Sequence, residues 1–171
     1  RPRMVEVRQP SSQRSKRYTA VFGRCCIRKT AAKLNLSENG QIVFGEASSN
    51  ASQAGSRNEA FRWTRETGAQ GLGFPIISSS SESRARGVSG DGSIAIGYYA
   101  DHDNGELFAT KWTEESGWID LNSLSASPLV MTTANSVSRD GSRIIGTLSD
   151  ASDINAIFGY IWDELSGITL L

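Results

Sequence analysis

The side chains best placed to do chemistry lie between 101 and 106, where Asp101, His102, Asp103, Asn104, Gly105 and Glu106 follow one another. Clustered carboxylates beside Asn and Gly are the donors that a calcium ion takes from a tight loop. The spacing does not complete an EF-hand loop, however. The equivalent stretch of a later repeat keeps Asp150 and Asp153, while 48–58 of an earlier one has no acid at all, so a solvated hairpin loop is the simpler expectation. His102 is the single histidine, and one imidazole without a second His or a Cys beside it is not a transition-metal site. A glycosidase would need two carboxylates roughly 5–10 Å apart in a cleft, and Glu114 or Glu115 with Asp120 are the available pair. Ser89, in Gly87-Val88-Ser89-Gly90-Asp91, misses the Gly-x-Ser-x-Gly nucleophile elbow at its fifth position. The sequence therefore assigns no catalytic residue, no cofactor and no metal ligand.

All of these residues sit inside a repeat. Gly87-Val88-Ser89-Gly90-Asp91-Gly92-Ser93-Ile94-Ala95-Ile96-Gly97 has degraded copies in Leu36-Ser37-Glu38-Asn39-Gly40-Gln41-Ile42-Val43-Phe44-Gly45 and Ser136-Val137-Ser138-Arg139-Asp140-Gly141-Ser142-Arg143-Ile144-Ile145-Gly146. A tryptophan follows each copy, at Trp63, Trp112 and Trp162, and the period of about 50 residues is that of a modular β array. Asn39-Gly40, Asp91-Gly92 and Asp140-Gly141 supply the positive φ of a tight reversal. Apolar runs such as Ile94-Ala95-Ile96 are too short for a helix and read as buried strands. The segments ending in Trp63, Trp112 and Trp162 are third strands, and a second turn leads from each to a fourth. The expected fold is all-β, with four-stranded, propeller-like repeats at about 34–74, 85–124 and 134–171. A four-stranded sheet cannot bury both faces alone, so the recurring Trp is expected to pack between adjacent sheets. The recurring Ser37, Ser89 and Ser138 are expected to bond the backbone of their turns.

Two motifs in fixed order carry a family resemblance. The pattern Val88-Ser89-Gly90-Asp91-Gly92-Ser93 through Gly97, followed by one such as Ala60-Phe61-Arg62-Trp63-Thr64 with Gly68 to Gly73, resembles the HAF repeats of bacterial extracellular proteins over about 34–171. The namesake His is Glu59 in the first copy, the second reads Phe108-Ala109-Thr110, and the third reads Phe158-Gly159-Tyr160, so no role that needs that His carries over. The resemblance implies a secreted or cell-surface repeat protein, often an autotransporter passenger region ahead of an outer-membrane barrel. It implies no catalytic residue.

The charge balance of the whole chain is zero, with 18 basic and 18 acidic residues, yet its distribution is uneven. Residues 1–33 hold ten Lys/Arg against the single Glu6, a net +9, and the remainder carries the compensating −9. A basic arm of this kind can bind an anionic partner or dock on its own acidic repeats. No motif that reads bases accompanies it, which argues against nucleic acid. Tyr18 to Gly23 within the arm reads as a strand that could pair with the first repeat. Cys25 and Cys26 are adjacent and make neither a structural bridge nor a CxxC pattern. No apolar stretch reaches the ~18 residues of a membrane span, and Arg1 to Pro10 lacks a signal-peptide core.

Three repeats are few for a closed ring, since propellers hold about 4–8 blades. A partial blade from 1–33, a longer parent protein, or a partner could each supply the rest. The functional expectation is a non-catalytic extracellular or cell-surface module for adhesion or recognition, binding a glycan or an extracellular protein through the variable loops 46–58, 99–106 and 147–155. A structural spacer or an assembly subunit that associates through its sheet edges is the alternative, and a glycan-processing enzyme is the second.

Overall fold

The structure is a computed structural model, and it describes residues 27–49, 57–75, 81–125, 129–150 and 156–171. The expected strand at 18–23, the cysteine pair at 25–26, the serine-rich connection at 76–80 and the loop segments 50–56 and 151–155 lie outside the described residues.

Each repeat forms one antiparallel four-stranded sheet in chain order. The first contains β1 (Ile27–Leu36), β2 (Ile42–Ser49), β3 (Arg57–Thr64) and β4 (Gly68–Gly71). The second contains β5 (Ser81–Val88), β6 (Ile94–Asp101), β7 (Glu106–Thr113) and β8 (Gly117–Asp120). The third contains β9 (Leu129–Val137), β10 (Arg143–Asp150), β11 (Ile157–Asp163) and β12 (Gly167–Leu170). The chain is thus all-β, with a single 3-10 turn at Leu121–Leu124 among the described residues. Strand β1 begins at Ile27, within the segment that composition alone groups with the basic arm.

The register repeats with the sequence. Val43, Ala95 and Ile144 stand opposite Trp63, Trp112 and Trp162 in their respective ladders. Side chains alternate across a strand, so neighbouring residues serve opposite faces. Ala95 joins Phe44, Ala60, Ala85 and Trp112 in a core between the first and second sheets. Ile96, the next residue, joins Met131, Ile144, Leu148, Tyr160 and Trp162 in a core between the second and third. Trp112 meets Phe44 edge-on, with ring centroids 5.6 Å apart. Two of the three recurring tryptophans are therefore the packing residues between sheets. The third, Trp63, is half-buried on the far face of the first sheet, beside the buried Ala47, Phe61 and Ala69.

Polar side chains tie successive sheets where apolar packing alone would leave backbone groups unpaired. Ser83 of β5 accepts the Ala60 amide at 3.0 Å and donates to the Gly73 carbonyl at 2.8 Å. Asn122 of the 3-10 turn accepts from the Met131 amide at 2.7 Å and donates to its carbonyl at 3.0 Å, which fixes the entry of β9.

Candidate functional site

The turns between the first and second strands of all three sheets meet at one place. Each is built by the same device. In the second repeat, Asp91 Oδ1 accepts from Ser89 Oγ at 2.6 Å, from the Ser93 amide at 2.9 Å and from Ser93 Oγ at 2.8 Å. Ser89 Oγ in turn accepts the Ile94 amide at 3.0 Å. Asp140 does the same with Ser138 and Ser142, and Asn39 accepts from Ser37 Oγ and the Gln41 amide. The glycine after each, at φ +70° to +76°, occupies the left-handed region that these turns require. Hydrogen bonds from the neighbouring serines hold the Asp91 carboxyl below its ordinary range, and the same arrangement brings Asp140 down to about 2. The recurring serines therefore bond the turn backbone, as their recurrence implied.

A ladder of backbone bonds links the turns across the sheets. The Glu38 amide donates to the Gly90 carbonyl, and the Gly90 amide donates to the Arg139 carbonyl, both at 2.8 Å. Arg139 Nε then reaches back to Glu38 Oε2 at 2.7 Å. This ion pair passes over Gly90, where a Cβ would lie 2.8 Å from Arg139 Cγ and 3.0 Å from its carbonyl oxygen. Glycine at 90 is thus a close-approach requirement. Around it lies an open depression of about 920 Å³, lined by Glu38, Asn39, Gly90, Asp91, Ser138, Arg139 and Asp140. Three carboxylates and one guanidinium give it a net negative rim. It can hold polar or cationic groups by hydrogen bonding and charge.

A second polar cluster lies deeper between the first two sheets. Arg84 of β5 bonds Glu82 Oε2 at 2.7 Å and approaches the buried Glu46 of β2 at 3.3 Å. Tyr98 carries both Arg84 and Arg86 near its ring, and its hydroxyl accepts from Arg86 at 2.9 Å. Burial works to raise the Glu82 carboxyl, but the Arg84 hydrogen bond and charge, with His102 at 3.7 Å, outweigh it and lower the pKa. Burial likewise works to lower the Arg84 guanidinium, and its bond to Glu82 and the charge of Glu46 leave it raised. The cluster joins two sheets as an ion-paired clamp.

Asp101 Oδ1 accepts from the Asp103 amide and Oδ2 from Asn104 Nδ2, so that carboxylate locks its own loop. No group of three or more His, Cys, Asp or Glu able to hold a metal occurs among the described residues. Ser89 precedes β6 and His102 follows it, so the strand, roughly 25 Å long, separates them. Glu114 is exposed in a turn and approaches Arg62 of the first sheet at 3.9 Å, while Asp120, at the far end of β8, caps the 3-10 turn. The structure gathers none of these into one cleft. Strands also run further into the expected loops than the apolar pattern indicates. Glu46, Asp101 and Ser149 belong to β2, β6 and β10 and are buried, Glu46 and Asp101 with polar contacts that hydrophobic periodicity does not register.

No family model matches the chain, and no curated protein matches it. Among solved structures it is similar to the crystal structure of TolB from Acinetobacter baumannii, with a TM-score of 0.54 and 16% sequence identity over 81% of this chain and 31% of that one. That is a likeness of fold alone. It supports a propeller-like stacking of the three sheets, and the chain spans about a third of the length of the protein it resembles. No described helix is long and apolar enough to cross a membrane.

The convergence of the three turns is not legible in the sequence, whose variable loops lie at the opposite strand ends. The signal that could have found it is the repeated Ser-x-Asx-Gly itself, since identical turns on stacked sheets must come together at one end.

Proposed function

We propose that the chain is a non-catalytic, propeller-like recognition module acting outside the cell or at a bacterial cell surface. One observation carries this reading: the chemistry-bearing residues that recur are committed to the scaffold, while the loop 102–106 is exposed throughout and differs between repeats. Asp91 and Asp140 lock turns, Glu46, Glu114 and Glu164 pair with cations of another sheet, and Glu82 pairs with Arg84 of its own strand. A rigid frame bearing variable loops is how many binding modules divide the work. The resemblance to HAF repeats supplies the extracellular setting.

The test is binding of the folded chain to an array of glycans and extracellular-matrix proteins at physiological salt. A selective hit that is lost in His102→Ala/Asn104→Ala, and kept in Glu38→Ala, supports recognition through the loops. Loss in Glu38→Ala alone moves the binding surface to the depression around Gly90. A folded chain that binds nothing on the array favours the assembly role, which the uncovered face of the third sheet independently supports.

A further inference from the structure

Of the two outermost sheet faces, one is covered and one is open. On the outer face of the first sheet Ala47, Phe61 and Ala69 are buried within the single chain. The third sheet differs. Phe44 and Ile96 occupy the repeat position that seals each sheet against the next and are wholly buried, whereas their counterpart Ile145 is 43% exposed. The β10–β11 ladder runs without a shift in register, so it fixes what the open face carries. Ile144, Leu148, Tyr160 and Trp162 point into the core. Their neighbours share the outer side as opposed pairs: Ile145 with Ile161, Thr147 with Gly159 and Ser149 with Ile157, which is 67% exposed. Charge on this ladder's outer side is confined to its turn end, where Arg143 stands opposite Asp163. Position 161 also says what the face is not built to receive. Its counterparts Arg62 and Lys111 pair with Glu114 and Glu164 of the next sheet. Here the residue is isoleucine, so the face lacks the cation with which the first two sheets hold a following repeat.

With one open face per chain, two copies can meet only like on like. We propose that two copies associate through their third sheets, face to face about a two-fold axis that runs along the strands between β10 and β11. This operation lays β10 of one copy over β11 of the other at the same height. Ile145 then meets Ile161 of the second copy, and Arg143 meets Asp163 of the second copy. Each contact occurs twice, as in any isologous interface, and the apposed charges attract. Aligned packing of two sheets keeps their strands within about 30° of each other and the sheets about 10 Å apart. Four strands about 4.8 Å apart and about 20–25 Å long present roughly 400–500 Å². Two such faces bury on the order of 1,000 Å² in all, the lower limit for a specific interface, so the association is weak and reversible.

This inference does not depend on the recognition reading, because its readout is mass rather than ligand binding. The 171-residue chain is measured by light scattering and sedimentation over a concentration series. The expected result is a monomer–dimer equilibrium with a dissociation constant in the micromolar range, which Ile161→Lys weakens by about tenfold or more. Lys111 fills the same repeat position in the second sheet, so the fold accommodates that lysine and far-UV circular dichroism should not change. Mixing tests the geometry. Ile145→Lys with Ile161→Glu should recover a heterodimer that neither forms alone, because the new lysine faces the new glutamate across the axis. Ile145→Lys with Ile145→Glu should not, because those positions do not meet. A monomer at every concentration, a dimer that ignores Ile161→Lys, recovery in the second mixture rather than the first, or assembly beyond two copies would each overturn the proposal.

Discussion

Ile96 and Ile145 are the same repeat position in two environments, and replacing each by alanine separates packing from sequence. Ile96 is fully buried between the second and third sheets among Met131, Ile144 and Trp162. Truncation to alanine removes three carbons, about 2.4 kcal/mol of transfer free energy at ~0.8 kcal/mol each. The cavity left in a well-packed core adds on the order of 1 kcal/mol, for a total of about 3–4 kcal/mol. Ile145 is 43% exposed, and solvent fills the space it leaves. There the same truncation loses only part of the transfer term and leaves no cavity, about 1 kcal/mol. The assay is urea unfolding by tryptophan fluorescence and circular dichroism, at a dilution where the mass is that of one chain. With a slope of about 2 kcal/mol/M, the midpoint should fall by roughly 1.5–2 M for Ile96→Ala and by roughly 0.5 M for Ile145→Ala, at unchanged slope. Equal shifts, or a larger one at Ile145, would refute the assignment of an inner and an outer face to these two sheets.

Two further outcomes follow from the turns. Asp91 and Asp140 have lowered pKa values in the folded chain, so the stability they contribute is present above the unfolded value near 4 and is lost as pH falls through the folded one, about 2 for Asp140. Asn39 makes the corresponding turn without a titrating group, so Asp91→Asn/Asp140→Asn should keep the turns but lower the thermal midpoint at pH 7, where the charged bonds are lost, and flatten its decline between about pH 4 and 2; an unaltered acid limb would count against this account. Gly90→Ala should destabilise by about 1–3 kcal/mol, because the new methyl meets both the side chain and the carbonyl of Arg139. In a double-mutant cycle, Arg139→Ala should relieve the side-chain part alone, and strict additivity would show that the two residues do not touch.

Much of the scaffold was legible in the sequence because the forces that set it act over a few residues. Asx-Gly fixes a reversal where the backbone must take a positive φ, and Gly40, Gly92 and Gly141 do so. Alternation and the recurring tryptophans then give the strands, their number per repeat and the need for a neighbouring sheet. Polar burial was harder to read. Glu46 belongs to a variable loop by composition, yet it is a buried strand residue because Arg84, distant in sequence, supplies its counter-charge. Only the stacking of the sheets decided that Glu38, Gly90 and Arg139 share one site, and that Ile145 is left uncovered while Phe44 and Ile96 are not. A repeat specifies its own hairpins locally. Where the copies meet, and which face stays open, depends on contacts between residues a whole repeat apart, and these exist only once the sheets have stacked.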